Sequence, residues 1–338
     1  MVGEMRNIWL HLCRVAWLWL IFAQNPVFAY CDIRTADLRI GRDGCVIVNW
    51  LYVLPDRGSN RILSGQYGWK DVQEIREQTG KWPAFYEDFL WQMNGSSSWN
   101  DWSHADRNAN FLKDYWDQGG LVGIHMPIPN PKNKSNQLDR DLTDVEFRDV
   151  AVRGTELNRN YLEWMGKLAT HLQWLQEQGV TVFLRPLHEM NGGWFWYGKR
   201  DPEDFKKLFR LTVEFLTVDR GLHNLIVVYA PNRGQGVMTY YPGSDVIDVV
   251  GVDSYDNQPA TVKAEYDALM HTGKPFAITE IGWSAQGLAR ADTRDSKQDI
   301  LEGIKRYAPR TVWWSSWTAL PTARRTSRTA SSSMMIRR

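Results

Sequence analysis

The chain has 338 residues, a formal net charge of +1 and 43% apolar residues. That length accommodates one large barrel or two ordinary domains, and the balance of apolar and charged residues excludes a disordered chain and a membrane protein with several spans. The 18 tryptophans are an excess, and tryptophans beyond the needs of a core often line clefts that stack flat ligands.

The N-terminus has the features of a signal peptide. Arg6 precedes an apolar stretch over residues 8–22, and the small residues around Ala29 have the spacing of a cleavage site. We therefore expect a signal peptide over residues 1–29, an extracellular or periplasmic location, and no stable membrane anchor after cleavage. A membrane anchor is the alternative, but the uninterrupted apolar run is far shorter than the ~20 residues that span a bilayer.

Two cysteines remain beyond this leader. Cys13 lies within it, so the processed chain retains Cys31 and Cys45, which in an oxidising compartment could close one small loop. No spacing typical of metal ligands is present, so neither a metal nor an organic cofactor is expected.

Short apolar runs then alternate with helical patterns, as is typical of βα units around a parallel sheet. The predicted strands are residues 61–67, 84–91, 121–128, 180–189, 224–231, 246–255, 275–283 and 311–317. The predicted helices are residues 71–79, 105–118, 157–178, 202–218, 261–271 and 295–307, with none in the link after the fifth strand. Asp201 before Pro202 indicates a helix start, and Gly179 and Gly273 stand where helices end.

Eight such units favour a closed (β/α)8 TIM barrel, forming a single domain over residues 30–320. An open doubly wound sheet is disfavoured because no G-x-G-x-x-G turn follows the first strand. In these barrels the functional residues lie at the C-terminal ends of the strands.

The C-terminal residues 321–338 differ from the rest of the chain. They contain five Arg, no acid and no aromatic residue, in the place where a closing helix is expected. We interpret this basic tail as disordered or as an altered C-terminus. Contact with a polyanion is the alternative.

The fourth strand ends in a dense group of polar and aromatic residues. Its sequence, VTVFLRPLHEMNGGWFWYG, contains Arg185, His188 and Glu189, followed by Trp194. A carboxyl group beside aromatic walls is partly desolvated, which raises its pKa and keeps it protonated as a general acid near neutral pH. A glutamate that caps a loop or pairs with Arg185 is the alternative.

The seventh strand, KPFAITEIGWS, ends in a second glutamate, Glu280, with Trp283 close behind. Strands four and seven lie across the barrel from each other, so both carboxylates can meet over its mouth. Two carboxylates about 5–5.5 Å apart hydrolyse a glycosidic bond with retention, and a separation of about 6.5–9.5 Å gives inversion. The sequence leaves that separation open.

Three further strand ends carry candidate site residues. The sixth ends in Asp253 and Tyr255, and a tyrosine beside a nucleophilic carboxylate can hydrogen-bond to it, although a core tyrosine is equally common. The third ends in His125, for which a structural role is the alternative. The eighth ends in WWSSW, a run too aromatic for simple exposure. We assign Trp314 to the site, although the pattern does not decide which ring lies there.

The motifs RPLHEMNGGWFWYG and ITEIGW together resemble glycoside hydrolase family 26, whose best-known members are endo-β-1,4-mannanases. The resemblance extends to ILSGQYG, NLIVVYAPN, DVVGVDSYD and WWSSW and covers about residues 60–317. It implies that Glu189 is the acid/base and Glu280 the nucleophile of a retaining enzyme. The residues that it places around the cleaved bond are His125, Arg185, His188, Trp194 and Tyr255, and we add Trp283 and Trp314.

The resemblance implies a hydrolase of β-1,4-mannosidic bonds in mannan, galactomannan or glucomannan. With the signal peptide, we expect a secreted enzyme whose partner is this polysaccharide, and we expect a monomer. β-1,3:1,4-Glucan and β-1,3-xylan are alternative substrates, because enzymes of this family share the catalytic pair and differ in loops that contact sugar hydroxyls. A carbohydrate-binding barrel without catalysis is disfavoured because both glutamates are present, and nucleic-acid binding because the barrel has no basic stripe. The chain departs from the family pattern in two ways. His125 stands in GIHMP rather than after a tryptophan, which affects specificity, and the final helix is missing, which affects stability.

Overall fold

The strands close into a parallel barrel. The computed structural model describes residues 31–57, 62–90, 102–126, 128–134, 136–256, 258, 260–283 and 296–317. Its strands are β1 (Leu63–Tyr67), β2 (Phe85–Asp88), β3 (Leu121–Met126), β4 (Val182–Pro186), β5 (Leu225–Tyr229), β6 (Val249–Asp256), β7 (Phe276–Trp283) and β8 (Thr311–Ser316). Each pairs in parallel with the next, and β8 pairs with β1. The predicted (β/α)8 TIM barrel is confirmed.

Helices surround this barrel. Those in the described residues are α1 (Arg42–Val53), α2 (Trp69–Thr79), α3 (Ala105–Asp117), α4 (Asp144–Val150), α5 (Glu156–Glu177), α6 (Pro202–Glu214), α7 (Lys263–Met270) and α8 (Ser296–Tyr307). A π-helical turn over Phe215–Asp219 extends α6. Six of these helices agree with the predicted ones within a few residues, whereas the sequence does not predict α1 or α4. The link between β5 and β6 contains no helix, as predicted.

Local chemistry explains where several helices begin. The side chain of Asp201 accepts hydrogen bonds from the backbone N–H groups of Glu203 and Asp204 at 2.9 and 3.0 Å, ahead of Pro202 in the first turn of α6. Thr143 and Glu146 form a reciprocal capping box at the start of α4. Such caps satisfy N–H groups that have no partner inside the helix.

Three aromatic rings fill the barrel interior below its mouth. Phe85, Phe183 and Trp313 are fully buried, with the Trp313 ring stacked on Phe85 at a centroid distance of 5.1 Å and edge-on to Phe183 at 5.3 Å. Since these rings come from β2, β4 and β8, they can meet only inside the barrel. They form a solid floor under the residues at the mouth.

Replacing Trp313 by Ala is expected to lower the free energy of unfolding by about 3–5 kcal/mol, because the large cavity left in the floor cannot collapse. Urea denaturation followed by circular dichroism measures this loss. Trp314→Ala is the control, since that neighbouring ring is only partly buried and should cost less. Equal losses would contradict the placement of Trp313 in the floor.

The N-terminal segment is attached to the base of the barrel. Asp248, which is buried, accepts hydrogen bonds from the backbone N–H of Ala36 at 2.7 Å and of Val227 at 2.8 Å. A disulfide joins Cys31 to Cys45 of α1, with 5.4 Å between their Cα atoms. These contacts hold α1 against the barrel.

The predicted signal peptide (residues 1–29) and basic tail (residues 321–338) lie outside the described residues. Within the described part of the chain, no helix combines the length and the apolarity needed to cross a bilayer.

Candidate active site

Glu189 lies in a tight turn just beyond β4 rather than on the strand itself. The strand ends at Pro186, whose ring removes a backbone donor, whereas the sequence predicts a strand to residue 189. Leu187 and Glu189 both have positive φ, 50° and 55°, a conformation that is uncommon for residues other than glycine and is concentrated at functional sites. The backbone N–H of Glu189 donates to the carbonyl of Ala230 at 2.8 Å, which ties the turn to the end of β5.

The carboxyl group of Glu189 is desolvated. The residue is 8% exposed, and the indole N–H of Trp194 donates to one of its carboxyl oxygens at 2.8 Å. Burial raises the pKa of Glu189 to about 8, with a further contribution from the negative charge of Glu280. At neutral pH the group therefore holds a proton that it can donate.

Glu280 is as buried as Glu189 but has different hydrogen-bond partners. A register shift between β6 and β7 brings Glu280 opposite Asp253, and such irregularities re-aim side chains near active sites. One carboxylate oxygen of Glu280 accepts from Arg185 at 2.5 Å and the other from the hydroxyl of Tyr255 at 2.5 Å. Donors on both oxygens fix the direction of this side chain.

Arg185 is at the centre of a buried cluster that also contains Glu280, Asp253 and His125. Its buried guanidinium also donates to Asp253 at 2.7 Å and to Nδ1 of His125 at 2.8 Å. The alternative in which Glu189 pairs with Arg185 is therefore not observed; the arginine pairs with Glu280 and Asp253 instead. Asp253 in turn accepts from the hydroxyl of Thr279 at 2.6 Å.

The two buried histidines are neutral. An arginine can only donate, so Nδ1 of His125 accepts and its proton is on Nε2. Burial, and next the charge of Arg185, hold the pKa of both His125 and His188 well below its usual range. Nε2 of His125 and Nδ1 of His188 are buried and have no hydrogen-bond partner within the described protein.

Three side chains at the same place have the spacing of metal ligands. Ligand atoms of His188, Asp253 and Glu280 lie within 4.8 Å of one another. Arg185 already donates to both carboxylates, so its guanidinium supplies the positive charge that a cation would bring. The donor set therefore fits an ion-pair cluster better than a metal centre.

Of the other predicted site residues, Trp194 and Tyr255 lie at the mouth, 40% and 37% exposed. Trp283 ends β7, but its side chain lies outside the described part. Trp314 is not brought into the cluster. Trp313 and Ser315 face the barrel interior, so the alternation of a strand turns Trp314 to the outer face.

Trp317, directly after β8, is the tryptophan of the WWSSW motif whose ring reaches the mouth. It stacks on Tyr67 at 4.2 Å with an interplanar angle of 13°, and its centroid is 5.1 Å from that of His125. Phe89 completes this aromatic wall, 3.9 Å from the His125 ring. The WWSSW motif indicated an aromatic site residue without deciding among its three rings.

The site contains one buried carboxyl group that the sequence does not single out. Glu87 of β2 is 4% exposed, and burial raises its pKa to about 7, against the opposing charge of Arg185. Its side chain occupies the space that a Cβ at Gly123 would fill, since such an atom would lie 2.9 Å from Glu87 Cγ. A polar residue at the end of the short β2 was the available signal.

Comparison with known proteins is consistent with this geometry. The profile of Glycosyl hydrolase family 26 matches residues 42–333. A mannan endo-1,4-beta-mannosidase of Bacillus subtilis (strain 168) is 32% identical over 292 residues, spanning 80% of this chain and 78% of the relative. The crystal structure of the YdhT protein from Bacillus subtilis matches with a TM-score of 0.76 at 30% identity, covering 85% of this chain and 88% of that one. The structure of Bacillus subtilis mannanase man26 gives 0.74 at 28% identity, over 86% and 91%.

A TIM barrel with two glutamates at its mouth, one with a raised pKa and the other hydrogen-bonded through both oxygens, is the architecture of a glycoside hydrolase. The match extends over most of the sequence, so the chain belongs to glycosyl hydrolase family 26. The predicted family and the predicted enzyme class are confirmed.

Proposed function

We propose that this enzyme is a secreted, retaining endo-β-1,4-mannanase in which Glu189 is the acid/base and Glu280 the nucleophile. The observation that carries the proposal is the contrast between the two carboxyl groups. One is buried with its pKa raised to about 8, and the other is held through both oxygens by Arg185 and Tyr255. Double displacement needs one protonated and one ionised carboxyl group on either side of the scissile bond.

In the first step an oxygen of Glu280 attacks the anomeric carbon, and the bond from that carbon to the glycosidic oxygen breaks. Glu189 transfers its proton to the departing oxygen, so the leaving chain departs as a neutral alcohol. Arg185 and Tyr255 keep the attacking carboxylate fixed, which lowers the entropic cost of reaching the transition state.

In the second step Glu189 takes a proton from water as that water attacks the anomeric carbon and releases Glu280. The change of role has a physical cause. Glu280 is a neutral ester in the intermediate, so the negative charge that helps to raise the pKa of Glu189 is gone. Glu189 is then a better-ionised base in the step that needs one.

A polyhydroxylated substrate suits the unpaired donors and acceptors of the site. Nε2 of His125, Nδ1 of His188 and Nε of Arg185 are buried without a protein partner. A hydroxyl group can accept from the N–H groups of His125 and Arg185, and it can pair with Nδ1 of His188 as donor or acceptor according to the tautomer. Trp317 is partly buried and stacks on Tyr67 by one face, so its other face can stack on a sugar ring.

β-1,4-Mannan is the proposed substrate because two of the relatives described above are named as mannanases. Secretion is supported by the leader-like residues 1–29 and by the disulfide between Cys31 and Cys45, since such bonds persist in oxidising compartments. A monomer with a polysaccharide as its only partner is the simplest state consistent with this role.

Incubation with galactomannan, mixed-linkage β-glucan and β-1,3-xylan tests the substrate. We expect reducing ends to appear with galactomannan at a rate at least about 100-fold above the other two, because sites that hydrogen-bond hydroxyls reject misplaced ones strongly. Early products should be oligosaccharides of several sizes, as endo cleavage requires, and NMR should show the β-anomer first. Glu280→Gln protein is the background control. Faster release from glucan or xylan would replace mannan by that substrate, and release from none would leave a binding barrel.

A further inference from the structure

Trp194 is partly exposed, yet it is hydrogen-bonded to the acid/base Glu189. Its side chain is 40% exposed, and it meets Phe195 edge-on at a centroid distance of 6.3 Å. Its indole N–H nevertheless donates to Glu189 at 2.8 Å. An exposed ring in a loop has several accessible rotamers, so its hydrogen bond to the acid/base depends on how the loop itself is fixed.

Arg140 bonds the loop of Trp194 at two points. It follows β3 in sequence, and its guanidinium donates to the carbonyl oxygen of Gly193, directly before Trp194, and to that of Gly198 at 3.1 Å. The planar fork of an arginine suits two acceptors at once, whereas a lysine presents a single point charge.

Further bonds join the same two loops. The backbone N–H of Trp196 donates to the carbonyl of Gln137 at 3.0 Å, and Arg200 donates to the carbonyl of Arg140 at 3.2 Å. Arg140 is therefore itself anchored, so it can restrain the loop that it contacts.

Gly192 provides the surface on which the indole rests. A Cβ added there would lie 2.4 Å from atoms of the Trp194 ring, so the ring lies directly against the glycine backbone. A Cβ at Gly198 would lie 2.3 Å from the carbonyl oxygen of Gly192. The loop thus folds back tightly on itself, and Arg140 spans its two ends.

We propose that Arg140 is a positioning residue for the acid/base, which holds the loop so that Trp194 stays on Gly192 and keeps its hydrogen bond to Glu189. This inference rests on the proposed function and adds to it a residue of the loop after β3. Its effect is confined to proton transfer, because the bonds that hold Glu280 come from Arg185 and Tyr255.

Arg140→Ala tests the inference through its selectivity. We expect kcat/KM on galactomannan to fall about tenfold or more, since the poor leaving group needs a well-placed acid. With 2,4-dinitrophenyl β-mannobioside, whose phenolate leaves without protonation, the glycosylation rate should stay within about twofold of the wild-type rate. Arg140→Lys should recover part of the loss, because an ammonium group can reach one of the two carbonyls.

A second measurement does not depend on activity. The indole proton of Trp194, assigned with Trp194→Phe, should resonate downfield in the wild type and move upfield in Arg140→Ala as its bond to the carboxyl group is lost. Gly192→Ala should shift the resonance upfield as well, because the added Cβ would displace the Trp194 ring from the glycine on which it rests. If Arg140→Ala proved too unstable to study, Arg140→Lys and Gly192→Ala would decide the question.

Arg159→Ala is the matched control. Arg159 also donates to a glycine carbonyl, that of Gly154 at 2.6 Å, but it lies on α5 rather than in the loop after β3. It should change neither the selectivity nor the resonance. Equal losses on both substrates in the Arg140 variants, or an unmoved Trp194 resonance, would overturn the inference. A wild-type protein inactive on both substrates would instead overturn the proposed function, and the positioning role with it.

Discussion

Glu280→Ala is expected to lower kcat on β-mannan by at least about 10⁴-fold, because the variant lacks the nucleophile that forms the glycosyl-enzyme. The loss should appear in kcat and in kcat/KM together, since Glu280 acts in the transition state rather than in binding. Reducing-end release from galactomannan at saturating substrate measures it.

Chemical rescue identifies the role of the missing group. With 2,4-dinitrophenyl β-mannobioside and added azide, Glu280→Ala should regain turnover and release the α-glycosyl azide. Azide takes the place of the carboxylate, forms one bond to the anomeric carbon and inverts it as the phenolate leaves. A β-azide product would assign the nucleophile to another residue.

The rescue experiment requires that Glu280→Ala still folds. Glu280 is one of two carboxylates that pair with the buried guanidinium of Arg185, and removing one partner of a buried pair is destabilising. Glu280→Gln keeps an amide that can still bond Arg185 and Tyr255. Its thermal midpoint should stay closer to that of the wild type than that of Glu280→Ala, while its activity is lost to a similar extent.

The placement of Glu280 followed from the sequence because an apolar strand with a polar end has one interpretation in a parallel barrel. The position of Glu189 was predicted less well. Its motif was recognised, but Pro186 ends β4 early and a turn with positive φ carries the glutamate to the mouth. Positive φ at a residue other than glycine is imposed by tertiary contacts, and residue types do not indicate it.

The sequence does not show which side chains of each strand point into the barrel, and this was the main gap in the prediction of the site. Parallel strands in a barrel are covered on both faces, so they lack the apolar and polar alternation that would show which side points inward. This is why Trp314 could not be separated from Trp317, and why Glu87 was not noticed. The barrel closure decides both, by turning Trp313 and Ser315 to the interior.

The unpredicted α4 is a different case, because the sequence carried its signal. Thr143 and Glu146 have the T-x-x-E spacing of a capping box, and the structure forms that box. The helix is one of the shortest described, Asp144–Val150, so it has little hydrophobic periodicity. Its capping residues were the better indicator.

Glu189→Ala is expected to affect the two steps differently, which distinguishes an acid/base from a nucleophile. On galactomannan kcat/KM should fall about 10²–10⁴-fold, the usual contribution of general acid catalysis. With the dinitrophenyl substrate the first step needs no acid, so an initial burst of phenolate should precede slow turnover as the glycosyl-enzyme accumulates. Azide should then accelerate turnover and give the β-glycosyl azide, the opposite anomer to that from Glu280→Ala.

The pH profile completes the assignment of Glu189. Its proton must be present in the free enzyme, and its pKa is raised to about 8. A carboxyl group with a raised pKa is protonated below that value, so wild-type kcat/KM on galactomannan should fall as the pH rises through about 8. In Glu189→Ala the residual activity on galactomannan should lack that basic limb, whereas Glu163→Ala, which alters an exposed surface pair, should retain it on the same substrate. A basic limb that persisted in Glu189→Ala would have to come from another group, and Glu87, with its pKa raised to about 7 in the barrel interior, is the one to test next.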